Sequence, residues 1–207
     1  GLASGNQTVR INVADVNEAP TISTSGTGTV SENLAAGAAV AGVTLSASDP
    51  EGNPVRWEIV SGNTNNAFAI NAETGAITTT AVLNREAIAS YDLVVRAVDS
   101  GGLASGNQTV RINVADVNEA PTIIYGGSGS IDENKTSIIT NLLALDPEGD
   151  TITWSLSGRD ASLFTIDVSG NVRAAGSGLD YEKRPVDGYQ VNATATANGA
   201  SVTKALS

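Results

Sequence analysis

One perfect repeat constrains the fold of this chain more than any other feature. Residues 1–22, GLASGNQTVRINVADVNEAPTI, return without a single change at 102–123, which sets a period of 101 residues. A period of this length is the size of one small domain, whereas solenoid repeats are much shorter. The chain is therefore predicted to contain successive copies of one module of about 100 residues.

Looser matches extend the repeat beyond the identical block. SEN at 31–33 matches DEN at 132–134, and DPEGN at 49–53 matches DPEGD at 146–150. Aromatic residues recur in the same order, each matched pair differing only by small loop offsets. The matched pairs are Trp57 with Trp154, Phe68 with Phe164, and Tyr91 with Tyr189. We predict that these aromatic side chains fill equivalent cores.

The repeat also predicts the domain boundaries. A first module is expected at 19–118 and a second at 119–207, the second truncated at its C-terminal end. Residues 1–18 are expected to be the last strand and linker of a preceding repeat. The strand pattern at 8–13 then has no sheet of its own, so we expect it to pair with a sheet edge, which can belong to a neighbouring molecule.

Hydrophobic residues alternate with a period of two inside each module. Val55, Trp57 and Ile59 alternate with polar neighbours, and Ile112 and Val114 do the same. About seven such runs per module are separated by Gly, Pro, Asn or Asp, and no run has the period of a helix. The pattern predicts an all-β, antiparallel sandwich.

The charge balance and residue usage exclude several classes of function. The chain has 22 Asp+Glu against 11 Lys+Arg, a net charge of −11, so neither a nucleic-acid partner nor an anionic membrane surface is expected. No apolar run is long enough to insert into a bilayer. Because Cys and His are both absent, thiolate chemistry, imidazole chemistry and a Ser/His/Asp triad are excluded.

Acidic residues concentrate in the segment that joins the two predicted modules. Asp116, Asn118 and Glu119 place three side-chain oxygen donors within four residues, and Pro121 then favours an extended chain. A strip of this kind suits a hard cation with six to eight oxygen ligands, of which Ca²⁺ is the commonest. The alternative is that these acids are ordinary solvated loop charges.

Together these segments resemble the cadherin repeat family over nearly the whole chain. The resemblance is carried by SEN, the DPEG loop, LNRE at 83–86, AVD at 97–99 and the DVNEAP linker at 116–121. It implies tandem Greek-key (Ig-like) seven-stranded β-sandwiches of the cadherin type. It also implies three Ca²⁺ ions held between successive domains by residues from both.

The resemblance assigns a set of Ca²⁺ ligands, position by position. The implied ligands are Asp15, Asn17, Glu18, the Ala19 carbonyl, Glu32, Asp49, Glu51, Asn84, Glu86, Asp99, Asp116, the Val117 carbonyl, Asn118, Glu119, the Ala120 carbonyl, Asp146 and Glu148. A further group, Glu133, Asp180 and Glu182, would require a linker beyond Ser207.

The chain departs from the family pattern at three of these positions and at position 197. Asn84 stands where the family has Asp and removes one charge, while Glu119 and Glu148 replace Asp and keep it. Aligned through Tyr189, Ala197 stands where the first module has Asp99. The third ion at the central junction is therefore expected to be weak or absent, and Ala197→Asp is expected to strengthen it.

The sequence leaves two functions open and does not support a third, which is catalysis. The first is a calcium-stiffened extender in an extracellular, cell-surface or secreted adhesin, whose partners are the neighbouring repeats of the same chain, other cells or surface glycans. The unchanged 22-residue recurrence is most like the repeat arrays of large bacterial surface and biofilm adhesins. The second is a calcium-dependent carbohydrate-binding module, for which Tyr125 and Tyr181 are the candidate exposed aromatics. Catalysis is not expected, because the acid pairs lie at module junctions.

Overall fold

The chain divides into two units, Gly1–Asp116 and Val117–Ser207. The structure, a computed structural model, describes residues 1, 4–125 and 129–206, with Ser25 and Tyr125 described by their backbone alone. Within these residues there is no α-helix; the regular structure is β-strand with three short 3₁₀ turns. The all-β prediction is confirmed.

Unit 1 is built from eight strands in three sheets. The strands are β1 (Thr21–Ser25), β2 (Gly28–Ser31), β3 (Thr44–Ser48), β4 (Arg56–Ser61), β5 (Phe68–Ile70), β6 (Ile77–Thr79), β7 (Ser90–Val98) and β8 (Gln108–Ala115). The largest sheet has the order β2-β8-β7-β4, and β1 pairs with β3 and β5 with β6. β7 and β8 show the period-two burial that the sequence predicted, with alternate side chains in the core.

The first strand of unit 1 is split, which corrects the prediction of a purely antiparallel sandwich. Gly26 lies between β1 and β2 with a φ of 82°, and a Cβ there would meet the carbonyl oxygen of Gly42 at 2.0 Å. The chain turns at this glycine and leaves the sheet that holds β3. It then joins β8 in parallel, with Gly28 opposite Ile112 and Val30 opposite Val114.

The core of unit 1 confirms the predicted role of the aromatic residues. Trp57 and Phe68 are buried, and the ring of Phe68 packs edge-on against Tyr91 with the ring centres 4.9 Å apart. Ile112 and Val114 from β8 belong to the same cluster. Burial of large apolar side chains on this scale is the main source of the free energy of folding.

Unit 2 repeats this plan with a smaller core. Its strands are β9 (Thr122–Tyr125), β10 (Ile138–Asn141), β11 (Leu143–Leu145), β12 (Thr153–Ser157), β13 (Phe164–Ile166), β14 (Asn171–Ala174), β15 (Val191–Ala197) and β16 (Ala200–Leu206). The sheets have the orders β9-β11, β10-β14-β13 and β12-β15-β16. Phe164 packs edge-on against Tyr189, as its counterpart does in unit 1. Trp154 is only half-buried, beside the buried Leu142, Val172 and Ala193.

The predicted strand at 8–13 is not formed. Residues 4–20 contain no strand, and the side chains of Val9, Ile11 and Val13 are 78%, 83% and 93% exposed. An alternating apolar pattern gives a strand only when a neighbouring strand completes its hydrogen bonds, and within the described residues none does so here. The expected pairing with another molecule stays a prediction.

Candidate metal centre

The N-terminal candidate site of unit 1 is assembled from three loops. Asp15, Glu18 and Glu51 place carboxylate oxygens within 4.8 Å of one another. The backbone N–H of Glu18 donates to Oε2 of Glu51 at 3.1 Å, which ties the segment before β1 to the DPEG loop. Three like charges at this separation repel one another unless a cation lies between them.

Asp99 joins the same site from the loop after β7. Asn17 Nδ2 donates to Asp99 Oδ2 at 2.8 Å, and the Leu103 backbone N–H donates to Oδ1 at the same distance. Asp99 is buried, with only 5% of its surface exposed. Burial acts to raise the pKa of Asp99, but the bonds from Asn17 and from backbone amides outweigh it and hold the pKa below its usual value. Asp99 is therefore held as a buried anion.

The DPEG loop presents Asp49 toward this site in a fixed orientation. Asp49 Oδ1 accepts from the backbone N–H groups of Glu51 and Asn53, at 3.2 and 3.0 Å. The second oxygen, Oδ2, is buried and has no hydrogen-bond partner among the described residues. A buried carboxylate oxygen without a partner is costly, and a bound cation removes that cost.

The carboxyl groups of Glu18 and Glu51 shift each other's pKa. Hydrogen bonding with the Glu51 carboxyl, together with repulsion from it, raises the pKa of Glu18, while the same bond lowers the pKa of Glu51. Two carboxylates that share one site cannot both ionise at their ordinary pKa.

Unit 2 contains the equivalent pair at its own N-terminal end. Glu119 and Glu148 correspond to Glu18 and Glu51, and hydrogen bonding with Glu119 together with burial raises the pKa of Glu148 to about 7. Asp146 Oδ1 accepts from the backbone N–H of Asp150 at 2.9 Å, and its Oδ2 is buried without a hydrogen-bond partner among the described residues. The DPEG loop of each unit thus aims one free carboxylate oxygen in the same way.

The C-terminal end of unit 1 gathers a second acidic group. Carboxylate oxygens of Glu32 and Glu86 lie within 4.8 Å of each other, and so do those of Glu86 and Asp116. Glu32 is 1% exposed and accepts at Oε2 from the backbone N–H of Arg85 at 2.7 Å. The Arg85 guanidinium donates to Asp116 Oδ1 at 3.1 Å, so it supplies positive charge at this end.

Asn84 has a different role from its acidic neighbours. Its Oδ1 accepts from the backbone N–H of Ala87 at 2.7 Å and closes the turn after Leu83. Asn is well suited to this turn because its side chain accepts from the backbone two or three residues ahead. The oxygen that the sequence assigned to a cation is engaged in holding the loop that carries Glu86.

The asparagine that follows Glu32 sets the direction of that ligand. Asn33 has a φ of 59° and its backbone N–H donates to the Leu83 carbonyl at 3.2 Å. In unit 2, Asn134 has the same φ and donates to the Leu179 carbonyl at 2.8 Å. The SEN and DEN motifs therefore need Asn because it tolerates the left-handed conformation.

The C-terminal end of unit 2 repeats the acidic group. Carboxylate oxygens of Glu133, Asp180 and Glu182 lie within 4.8 Å of one another. Asp180 Oδ1 accepts from the backbone N–H of Glu182 at 3.0 Å, and its other oxygen lies 2.9 Å from Lys183 Nζ. The structure thus brings together the three residues that the sequence assigned to a further linker.

The third-ion position of unit 2 lacks more than a carboxylate. Trp57 lies opposite Ala97, two residues before Asp99, and Trp154 lies opposite Ala195, two residues before Ala197. Ala197 is thus the structural counterpart of Asp99, as the alignment through Tyr189 predicted. It is 1% exposed and enters a two-residue turn, Asn198-Gly199, where unit 1 has the longer loop that leads to β8.

Sequence reasoning missed several residues that hold the ligands in place. Asn53 donates to Asn17 Oδ1 at 3.5 Å, and a Cβ on Gly101 would come within 2.9 Å of the Asn17 side chain. Arg85 holds both Glu32 and Asp116. The family motifs gave no indication of these roles for Asn53 and Gly101, because each acts on a ligand and not on the ion.

The comparisons with known proteins agree with the fold. Residues 27–115 match the family model of the cadherin domain. Mouse protocadherin Fat 4 is 36% identical over 147 residues, which is 68% of this chain and 3% of that protein. The chain therefore spans a very small part of the length of this curated relative.

Two solved structures share the fold over most of the chain. Mouse cadherin-23 EC22-24 has a TM-score of 0.66 at 26% identity, covering 92% of this chain and 63% of that one. Extracellular cadherin domains 1–4 of protocadherin gamma B7 have a TM-score of 0.64 at 28% identity, covering 92% and 49%. The chain belongs to the cadherin repeat family. The predicted β-sandwich fold is confirmed.

Membership in this family also confirms two broader predictions. The chain is an extracellular repeat of an adhesion type, and it is not an enzyme. Cadherin domains in general bind calcium. Within the described residues, no helix is both long enough and apolar enough to span a lipid bilayer.

Proposed function

We propose that this chain is a calcium-dependent spacer in an extracellular adhesion protein, in which Ca²⁺ bound at the module junctions fixes successive modules in one orientation. The observation that carries this proposal is the arrangement around Asp49 and Asp99 in unit 1. The Asp99 carboxylate is buried and ionised, and the Asp49 carboxylate keeps one buried oxygen that has no hydrogen-bond partner among the described residues. Asp15, Glu18 and Glu51 add three carboxylates beside them.

The donor set favours calcium over other metals. Every side-chain donor is a carboxylate or an amide oxygen, and the chain contains neither Cys nor His. Zn²⁺ and copper select sulfur and imidazole ligands, whereas Ca²⁺ takes six to eight oxygens in flexible geometry. Mg²⁺ demands a tighter octahedron and gives up its waters reluctantly. Calcium is the cation that these residues fit.

The central junction is proposed to be completed by two half-sites. One is the acidic group at the C-terminal end of unit 1: Glu32, Glu86 and Asp116. The other is the N-terminal group of unit 2, Glu119, Asp146 and Glu148, with Asn118 and the carbonyls of Val117 and Ala120. What supports this pairing is that each half contains a carboxylate held by a backbone amide, Glu32 by the Arg85 N–H and Asp146 by the Asp150 N–H. Asp146 also keeps one buried oxygen without a hydrogen-bond partner among the described residues.

At this junction we propose two strong ions and a weak or absent third. The third site would need the residue at position 197, which is a buried alanine at a tight turn. The upstream site around Asp99 has all the ligands that unit 1 contributes. Dissociation constants on the order of 10⁻⁴–10⁻³ M are expected from the range of extracellular calcium modules.

The wider context is an array of similar repeats. A block of 22 residues that recurs unchanged indicates a recent duplication, and we propose that the parent protein is a long repeat adhesin of the surface or biofilm type. The carbohydrate-binding alternative has weaker support. Of the seven aromatic side chains that the structure describes, Tyr181 alone is exposed, at 66%, with the Arg184 guanidinium 5.2 Å from its ring centre. The side chain of Tyr125 lies outside the described part of the chain.

Titration calorimetry with Ca²⁺ tests the proposal. The wild-type chain should bind Ca²⁺ with millimolar or better affinity, and Asp146→Asn should weaken the binding about tenfold, or 1.4 kcal/mol. Glu73→Gln, an exposed acid in the turn after β5, is the matched control and should leave binding unchanged. Absence of calcium heat in the wild type, or equal effects of both variants, would overturn the proposal.

A further inference from the structure

The outer face of the sheet β9-β11 in unit 2 is apolar. Ile124 of β9 and Leu143 and Leu145 of β11 are 52%, 48% and 58% exposed. Ile123 and Ala144, which lie opposite each other in the two strands, are more buried and face the interior of the unit. Because successive residues of a strand point to opposite faces of a sheet, the three exposed side chains share the face that contacts solvent.

The same face of unit 1 is polar. β3 and β11 each end directly before a DPEG loop, so their residues align one to one. Each of the three exposed apolar residues of unit 2 then stands where unit 1 has a serine. The serines are Ser23, Ser46 and Ser48, at the positions of Ile124, Leu143 and Leu145 respectively. Because the module folds with serine at these positions, its own packing does not require the apolar residues.

The outer face continues along the sheet into β10 and β14. Ile138 is 47% exposed, and Arg173 lies opposite it. Val172 and Ala174, on either side of Arg173, are buried, so the Arg173 side chain is on the outer face. Its guanidinium lies 4.0 Å from the Asp167 carboxylate, at the outer limit of an ion pair. Arg173 therefore places a positive charge at one end of the face.

A groove of about 400 Å³ lies at the opposite end of the face, beside β11. Leu145, Trp154 and Val168 are among its apolar lining residues, and Val168 is 90% exposed. Asp146 and Asp150 from the DPEG loop are its acidic lining residues. This end of the face therefore combines apolar surface with negative charge. We call Ile124, Ile138, Leu143 and Leu145 the apolar face, with Arg173 at its basic end and Asp150 at its acidic end.

The groove exists because the turn before β14 is one residue shorter than its counterpart. Residues 168–170 form this turn in unit 2, and residues 72–75 form it in unit 1. In unit 1 the Ala72 carbonyl accepts from the Trp57 backbone N–H at 2.8 Å, and Trp57 is 5% exposed. Trp154 is only half-buried. Unit 2 thus exposes apolar surface at two places that unit 1 covers or makes polar.

We propose that the apolar face of unit 2 packs against the same face of a second copy of the chain, with the strands of the two sheets antiparallel. In this direction Arg173 of each molecule lies toward Asp150 of the other, so opposite charges meet at both ends of the contact. A parallel arrangement would place like charges together. Sheets that pack face to face lie about 10 Å apart and bury such outward side chains between them. The face is therefore complementary to itself, as a two-fold contact requires.

The size of the apolar face sets the strength of the contact. Four large apolar side chains that are each about half exposed form a patch of a few hundred Å². Two such faces bury less than about 1,200 Å² in total, the range of weak and transient complexes. The dimer should therefore be populated only at high protein concentration. Assembly should stop at two copies, because the corresponding face of unit 1 is made of serine and threonine.

Sedimentation equilibrium from micromolar to millimolar concentration tests the contact. The average mass of the wild-type chain should rise from 20.9 kDa toward twice that value and no further. Ile124→Ser combined with Leu143→Ser should weaken the dimer about tenfold or more and leave the fold intact, because unit 1 folds with serine at both positions. Val186→Ser, at a fully exposed apolar residue in the loop before β15, is the matched control and should dimerise like the wild type. A wild-type chain that stays monomeric would overturn the proposal, as would equal weakening by both variants.

A charge exchange tests the antiparallel direction. Arg173→Glu and Asp150→Lys should each weaken self-association about tenfold or more, because each brings like charges together at both ends of the dimer. An equimolar mixture of the two variants should dimerise again, since opposite charges then meet at both ends. Because only folded chains can restore the dimer, this recovery also excludes misfolding as the cause of the loss. A mixture that stays monomeric, or a single variant that dimerises like the wild type, would contradict the proposed contact.

Discussion

Asp99 and its counterpart Ala197 illustrate how one residue decides the chemistry of a junction. Asp99 is kept ionised while buried because Asn17 and the Leu103 N–H donate to its two oxygens. A buried charge is tolerated only with such partners. Ala197 occupies the same structural position, but a two-residue turn replaces the loop that carries the Leu103 N–H, and Asn118, the counterpart of Asn17, donates to the Glu119 carbonyl.

Two replacements of Asp99 should distinguish the effect of its negative charge on calcium affinity from the effect of its hydrogen bonds on the loop after β7. Asp99→Asn keeps an oxygen for the Leu103 N–H but removes the negative charge, so calcium affinity at the upstream site should fall about tenfold or more, or 1.4 kcal/mol. Asp99→Ala should lose the same affinity and also loosen the loop after β7. Calorimetry combined with thermal unfolding distinguishes the two variants; equal calcium affinity of Asp99→Asn and wild type would remove Asp99 from the ligand set.

The acidic ligands and Asn84 should respond differently to truncation. Glu86→Ala and Glu119→Ala are expected to weaken calcium binding most, because each glutamate is expected to contact two ions. Asn84→Ala removes the acceptor for the Ala87 N–H, so it should cost about 1 kcal/mol of stability and have a smaller effect on affinity. Equal losses of affinity in all three variants would show that the ligand assignment is misplaced.

The ion pairs that Arg159 forms in unit 2 give a prediction about stability and pH. Arg159 bonds to Asp160 and Asp187, and these bonds hold the pKa of both carboxyl groups below the usual range. A lowered folded-state pKa stabilises the fold above the unfolded-state pKa of about 3.9, and that stability is lost as the pH falls through the folded-state values.

Arg159→Gln should therefore lower the melting temperature of unit 2 at neutral pH and have much less effect near pH 2. Lys204→Gln, which removes one positive charge from β16, is the control and should show no such pH dependence. If the melting temperatures of Arg159→Gln and wild type differ by the same amount down to low pH, the ion pairs are excluded as the cause of that difference.

At the scale of elements, the hairpins explain why a single substitution will not restore the third ion. Asn198 and Gly199 both have positive φ, 42° and 88°, as a tight two-residue hairpin turn requires. Unit 1 has residues 99–107 between the paired strands. Those residues include the Leu103 N–H that holds the Asp99 carboxylate.

The sequence alone predicted that Ala197→Asp would strengthen the third site. With the turn unchanged, we now expect this variant to destabilise unit 2 by about 2 kcal/mol, because it buries a carboxylate without the loop N–H that holds Asp99 in unit 1. Exchange of residues 197–199 for the loop 99–107 of unit 1 should restore calcium affinity without that cost. Chemical denaturation and calorimetry on both variants test this; a neutral Ala197→Asp would contradict it.

Much of the element level could be predicted from sequence. The period-two pattern predicted strands such as β8, and the matched aromatics predicted two equivalent cores, in which Phe68 packs against Tyr91 and Phe164 against Tyr189. The parallel pairing of β2 with β8 could not be predicted, since it depends on where the chain turns at Gly26. The pattern at 8–13 was misleading, because alternation shows what a segment buries once it is paired, not whether a partner strand is present.

For the candidate site, too, the sequence predicted some features and could not predict others. Motifs located the acids of the site, because acids in loops stand out against nearly neutral strands. Motifs did not reveal Asn53, Gly101 or the double role of Arg85, which depend on contacts across the fold. Charge is visible in a sequence, whereas the orientation of a carboxylate is a property of the folded loop around it.

At the scale of the whole molecule, calcium is proposed to act on the relation between modules and not on their folding. The cores of Trp57, Phe68 and Leu93 contain no candidate ligand. Two like charges 4 Å apart repel by about 4 kcal/mol at an effective dielectric near 20. Carboxylates gathered at a junction should therefore separate when calcium is removed, while each sandwich stays folded.

Small-angle X-ray scattering on the wild-type chain, in millimolar Ca²⁺ and again after chelation, tests this claim most directly. We predict an extended particle with a narrow distribution of dimensions in calcium, and a broader, more compact distribution without it. The far-ultraviolet circular dichroism of the same samples should change little, because the strands persist. Identical scattering in the two conditions would contradict the account and would leave the acidic junction as a solvated linker.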